Sequence, residues 1–182
     1  MNLTAHPARP PLNVSAITVG AGMEGSWLLL RWRVEGAGAL VVPPFAGRGR
    51  ADGLWQATCF EAFLQSDDGS AGYVELNLSP SEQWAAYSFT GRREGMAEVP
   101  MPRDADCALR GSGNLMIFDA AVPLATLPPR PWRLGMTAVI EERAEGMSET
   151  VKSYWALAHG GAEPDFHDPA CFVARLGAGE GA

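Results

Sequence analysis

The stretch SWLLLRWRVE, residues 26–35, alternates apolar and polar side chains with a period of two. Successive side chains of an extended chain point to opposite faces, so Leu28, Leu30, Trp32 and Val34 share one side and Arg31, Arg33 and Glu35 the other. That is the pattern of a half-buried strand, and it recurs along the chain. LWQATCFEAFLQ (Leu54–Gln65) and YVELNLS (Tyr73–Ser79) read as strands joined by SDDGSAG, whose Asp and Gly residues suit a hairpin loop, so the two are expected to pair antiparallel. WAAYSF (Trp84–Phe89), NLMIFDAAV (Asn114–Val122), WRLGMTAVIEE (Trp132–Glu142), VKSYWALA (Val151–Ala158) and CFVARL (Cys171–Leu176) continue the series.

Gly and Pro punctuate these segments, in TGRREG, PLATLPPRP and HGGAEPD, and no amphipathic helix interrupts them. The expected fold class is therefore all-β, an antiparallel β-sandwich of jelly-roll or immunoglobulin-like kind. In SPSEQWAAYSF an alternative stands open, because Ser81 can cap a short helix. A chain of 182 residues is comfortable with one core, which predicts a single domain over 1–182 with loose termini at 1–12 and 177–182.

Residues 17–32, ITVGAGMEGSWLLLRW, contain the G-x-G-x-x-G spacing of dinucleotide-binding loops. Such a loop needs a helix after its glycines and an acidic residue about 20 positions further on. Here the following segment alternates like a strand, and ALVV runs into Pro43 and Pro44 without an acid. Gly20, Gly22 and Gly25 are accordingly expected to form a flexible connection between two antiparallel strands.

A net charge of −7 and a pI near 4.9 argue against a phosphate-binding surface, so nucleic acid is not expected as a partner. No apolar run is long enough to span a bilayer as a helix, and MNLTAHPARPPLNVS lacks the layout of a secretory signal, which predicts a cytoplasmic protein with no membrane partner. Cys59, Cys107 and Cys171 are odd in number and lack C-x-x-C spacing, and they read as reduced. The N-x-S/T triplets at Asn2, Asn13 and Asn77 would matter only in a secreted protein.

Chemistry concentrates mid-chain. On YVELNLS the residues Tyr73, Glu75, Asn77 and Ser79 share one face, while Val74, Leu76 and Leu78 supply the core. Carboxylate and amide groups beside flat rings are what a polyhydroxylated ligand requires, although a solvated outer sheet face gives the same alternation. Glu61 lies on the neighbouring strand, with Phe60 and Leu64 on its opposite side. If it faces Glu75, the two carboxyls can act as an acid–base pair, as glycosidases use them. Trp55, Trp84 and Trp155 can stack on a sugar or a haem ring, or fill the core. Arg92 and Arg93 can meet an anion or solvent. Asp165, His167, Asp168 and His159 gather in AHGGAEPDFHDPACF, where turn chemistry accounts for them better than a metal site does. No metal is expected, and no G-x-S-x-G elbow occurs.

Three blocks taken together, LWQATCFEAFL, YVELNLSPSEQWAAYSFTGRREGM and SYWALAHGGAEPDFHDPACFVARL, resemble the bacterial DOMON-like proteins, which are related to the family nine carbohydrate-binding modules. The resemblance spans Leu54 to Leu176. It implies a β-sandwich whose sheet face or cup accepts a sugar or, in other DOMON branches, a haem. It carries Glu61, Glu75, Asn77, Trp84 and Tyr87 over as ligand-face residues, with Arg92, His159 and His167 beside them. Extracellular relatives enter a secretory route and this chain shows no signal, which leaves a soluble metabolite or an intracellular partner open.

Three functions follow as expectations. The first is a non-catalytic module for a carbohydrate-like small molecule. The second is a haem-binding electron-transfer domain with Met96 or Met147 and His159 as axial ligands. The third is an enzyme acting on a glycoside through Glu61 and Glu75.

Overall fold

The computed structural model describes residues 1–177. These form thirteen strands and no α-helix among the described residues: β1 (Asn2–Ala5), β2 (Ala16–Glu24), β3 (Trp27–Glu35), β4 (Gly49–Arg50), β5 (Cys59–Ser66), β6 (Tyr73–Leu78), β7 (Gln83–Phe89), β8 (Ala97–Glu98), β9 (Asp106–Ser112), β10 (Leu115–Pro123), β11 (Trp132–Glu142), β12 (Val151–Ala156) and β13 (Ala174–Leu176). No helix among the described residues is long and apolar enough to cross a membrane.

The strands hydrogen-bond in the order β4-β7-β6-β5-β11-β12-β1-β2-β3-β10-β9, with β13 on β11 and β8 on β7. Every pairing is antiparallel except β4 with β7. The result is one sheet curled into a half-barrel rather than two separate sheets, which corrects the sandwich expectation at that level. The join is β1. Its Asn2 and Leu3 pair with β2, and its Thr4 and Ala5 pair with β12. The first residues are thus a structural tie and not a loose end, and Leu12, Asn13 and Val14 are held through their amides by buried Glu142. Residues 178–182, within the expected C-terminal tail, lie outside the described residues.

Alternation builds the core as expected. Leu28, Leu30, Trp32 and Val34 are all buried, while Arg31 lies outward and bonds Asp119. The inward faces of β3 and β10 meet that of β5: Phe60 stacks on Phe118 at 4.3 Å between centroids, and Trp32 lies 5.5 Å from Phe60. Trp32 also donates through Nε1 to the Thr137 carbonyl at 3.0 Å, which satisfies its one polar atom.

Four local readings change, the first being that the strand expected over Leu54–Gln65 begins only at Cys59, with Leu54–Gln56 in a 3-10 turn. Gly20 and Gly22 lie inside β2, paired with Arg31 and Leu29, and only Gly25 (φ 55) makes the tight turn into β3. No helix follows it, so the dinucleotide motif is a hairpin. Ser81 caps no helix. Its Oγ donates to Ser79 Oγ at 2.8 Å in a turn where Glu82 takes φ 70, and the chain enters β7 directly. Finally, CFVARL becomes a strand only from Ala174. Pro169–Cys171 is a short 3-10 turn, whose Ala170 N–H donates to Asp168 at 2.9 Å.

Candidate functional site

The second face of β5, β6 and β7 is covered in part by the segment between β12 and β13. Phe166 and Phe172 of that segment pack with Phe63, Tyr73 and Phe89 of the sheet. Gly135 of β11 permits the close approach: a Cβ there would meet the Phe172 ring at 2.7 Å. Beside this apolar cluster the covering is incomplete, and a cavity of about 1100 Å³ remains.

Glu61, Glu75 and Asn77 line the cavity, and register explains their meeting. Glu61 pairs with Asn77, and Phe63 with Glu75, so Glu61 and Glu75 are diagonal neighbours on one face rather than directly opposed. They do not stand on a solvated sheet face: Glu61 is 3 % exposed, Glu75 6 % and Asn77 1 %. Asn77 Nδ2 donates to Glu75 Oε1 at 2.8 Å, and Thr137 Oγ1 donates to Glu61 Oε2 at 3.3 Å. The Asn77 Oδ1 is buried and has no hydrogen-bond partner.

Burial pushes the Glu61 carboxyl well above the ordinary carboxylate range, and the nearby Glu75 charge pushes it further, against the Thr137 hydrogen bond. Burial likewise raises Glu75, which the Asn77 hydrogen bond and the Arg93 charge oppose. Tyr87 lies across from Glu75 on β7, and its hydroxyl donates to Asp52; burial first, then that bond, push it up to about 12. The Arg50 guanidinium sits over its ring at 5.5 Å.

His167 also reaches the cavity. Its Nδ1 lies 2.7 Å from the Tyr73 hydroxyl, which accepts from the Arg93 amide at 3.2 Å and is assigned as the donor to Nδ1. The Nε2 then faces Glu75 Oε2 at 3.7 Å, beyond hydrogen-bond length. Edge-on packing against Phe63 and Phe89 desolvates the ring, and burial followed by the Arg93 charge lowers its pKa to about 4. The contact with Glu75 at neutral pH is therefore not an ion pair.

Other expected residues are placed elsewhere. Trp84 pairs with Leu78 and points into the core, where its Nε1 donates to Asp104 at 3.2 Å. Trp155 is core as well, and among the three tryptophans named above only Trp55, 54 % exposed, reaches the cavity. Arg92 is a clamp, bonded to Asp165 (2.6 Å) and Asp168 (3.2 Å), while its neighbour Arg93 lines the cavity. His159 stands apart, with Nε2 2.8 Å from the Thr4 carbonyl and its ring edge-on to His6. Tyr154, Phe166 and Asp52 line the cavity without having been singled out from sequence. Tyr154 was legible, since it alternates with buried Trp155; Phe166 and Asp52 lie in irregular segments that carry no period.

Haem does not fit these residues. His159 is not at the cavity, Met147 does not line it, and Met96 lies at its edge, 65 % exposed. The cavity's own imidazole has Nδ1 bonded to Tyr73 and Nε2 turned to Glu75. Among the described residues no group of three His, Cys, Asp or Glu side chains is arranged to hold a metal ion.

No protein-family model matches the chain, and no curated protein matches it. A crystal structure described as that of a "putative carbohydrate-binding protein" from Bacteroides uniformis is similar to it, with a TM-score of 0.54 and 15 % identity over 87 % of this chain and 76 % of that one. At that identity the likeness is one of fold.

Proposed function

We propose that this protein is a non-catalytic binding module whose cavity holds a carbohydrate-like small molecule. The observation that carries the reading is the buried polar floor of Glu61, Glu75 and Asn77, with an Asn77 carbonyl that has no partner inside the protein. A buried acceptor left unpaired costs about 1–3 kcal/mol, and a hydroxyl-bearing ligand is the kind of group that would satisfy it. Trp55 and Tyr87 offer flat ring surfaces above that floor. The volume of about 1100 Å³ is slightly above the roughly 300–1,000 Å³ typical of small-molecule sites.

Binding is favoured over glycoside hydrolysis by the carboxyls themselves. Binding asks of Glu61 and Glu75 only that they accept hydrogen bonds from a ligand, whereas hydrolysis would further require the pair to straddle a glycosidic bond. The likeness to the Bacteroides uniformis structure, described as that of a "putative carbohydrate-binding protein", supports the same choice. The reading includes a cytoplasmic location, which three buried, unpaired thiols support.

A thermal-shift screen against mono- and oligosaccharides tests it, because a ligand that binds only the folded state raises the apparent stability. At least one sugar should raise Tm, and Glu75→Ala should abolish that shift while the fold persists. An unchanged shift in the variant would remove the site, and the absence of a shift from every sugar would remove the function.

A further inference from the structure

We infer that the cavity floor receives a protonated amine, so that the ligand is an amino-bearing sugar or a sugar-like amine rather than a neutral one. This rests on the binding reading above and goes beyond it by naming the chemical group recognised.

Several donors near the floor are engaged within the protein. Asn77 directs its Nδ2 to Glu75, the Tyr87 hydroxyl donates to Asp52, the Tyr73 hydroxyl is bonded to His167, and Arg93 Nη2 is bonded to Asp165 at 2.9 Å. Beside the His167 Nε2 and the rest of the Arg93 guanidinium, acceptors stand open at the floor. Asn77 Oδ1 is buried and unpartnered, Glu75 Oε2 has only an imidazole nitrogen at 3.7 Å, and Glu61 receives one long bond from Thr137. A neutral hydroxyl brings one proton to such a floor. An ammonium brings three, together with a charge that offsets two buried carboxyl groups.

The walls agree with a cation. Asp52, Glu61, Glu75 and Glu163 line the cavity against Arg9 and Arg93; Asp52 is paired with Arg50 and Arg93 with Asp165, which leaves Glu61, Glu75 and Glu163 against Arg9. Tyr87, Phe89, Tyr154 and Phe166 contribute aromatic rings, whose faces attract a desolvated cation. Burial holds Glu61 and Glu75 toward the protonated form in the empty cavity, and a bound ammonium would restore their ionised form.

Calorimetric titration of the full chain at pH 7.5 with D-glucosamine, D-glucose and N-acetyl-D-glucosamine, and with the matching galacto and manno sets, tests the inference. In at least one set the free amine should bind about tenfold tighter than both neutral partners, as expected for hydrogen bonds to a charged group. Neutral sugars binding as well as the amines would overturn the amine and leave the binding module standing; no binding by any sugar, oligosaccharides included, would remove both. Glu61→Gln and Asn77→Leu should each lower the amino-sugar affinity by about tenfold and the neutral affinity by less. Circular dichroism checks that the variants fold, and should Asn77→Leu fail, Glu61→Gln decides alone. An undiminished preference for the amine in folded Glu61→Gln would overturn the proposal.

Discussion

His167 Nδ1 lies 2.7 Å from the Tyr73 hydroxyl, and this contact ties the segment after β12 to the middle of the sheet. The imidazole is neutral there, with its pKa lowered to about 4 from 6.5 by burial. Between those two values the unfolded chain binds more protons than the folded one, so stability rises with pH across the window and is lost as pH falls from 6.5 through 4. His167→Asn keeps a polar side chain and removes the titration. Urea denaturation of the variant between pH 4 and 6.5 should give a flatter profile than the parent protein. Equal slopes would mean that the ring is charged or solvated in the folded state.

Glu61 carries the opposite sign. Its folded pKa lies well above the ordinary 4.5, so the folded chain binds more protons above that value, and stability declines as pH rises toward the raised pKa. Glu61→Gln retains the shape and removes the buried acid. At pH 8 the variant should be more stable by on the order of 1 kcal/mol, which for a domain of this size is about 2–4 °C in Tm. A less stable variant would show that the carboxylate is satisfied in the folded state, against the strain expected of a binding residue.

Glu142 is a buried carboxylate with a structural task. It is fully enclosed and accepts from the amides of Leu12 (2.8 Å), Asn13 (2.7 Å) and Val14 (2.8 Å), which brings the chain into β2. Glu142→Ala would leave these donors without a partner, at an expected cost of about 3–5 kcal/mol in chemical denaturation. A loss under about 1 kcal/mol would show that water replaces the carboxylate.

The alternation of Leu28, Leu30, Trp32 and Val34 made β3 legible because one face of that strand meets the core and the other meets water. The same rule separated Glu75 and Asn77 from Leu76 and Leu78, and so assembled the heart of the site. It missed that β5 and β6 are buried on both faces, since a period of two gives the side of the sheet and not what covers it. Phe166 and His167 supply that cover from an irregular segment, placed by long-range contacts such as Arg92 with Asp165. The closure of the sheet through β1 was hidden for a related reason: four residues followed by prolines hold too little pattern to distinguish a strand from a tail.

Trp84 and Tyr87 show how an odd sequence offset decides a residue's role. Three positions apart on one strand, they must point to opposite faces, Trp84 into the core beside Leu78 and Tyr87 into the cavity beside Glu75. Trp84→Phe should therefore destabilise the protein by about 1–2 kcal/mol, through lost packing and the lost bond to Asp104, while ligand affinity stays within about twofold. Tyr87→Ala should do the reverse: it removes a ring from the cavity wall and weakens binding by about tenfold, with a smaller loss of stability because the side chain is only partly buried. Thermal melts of both variants, with and without the sugar that gives the largest shift, measure the two effects together. If Trp84→Phe abolishes binding in a stably folded protein, the face assignment of β7 is wrong and the cavity lies on the other side of the sheet.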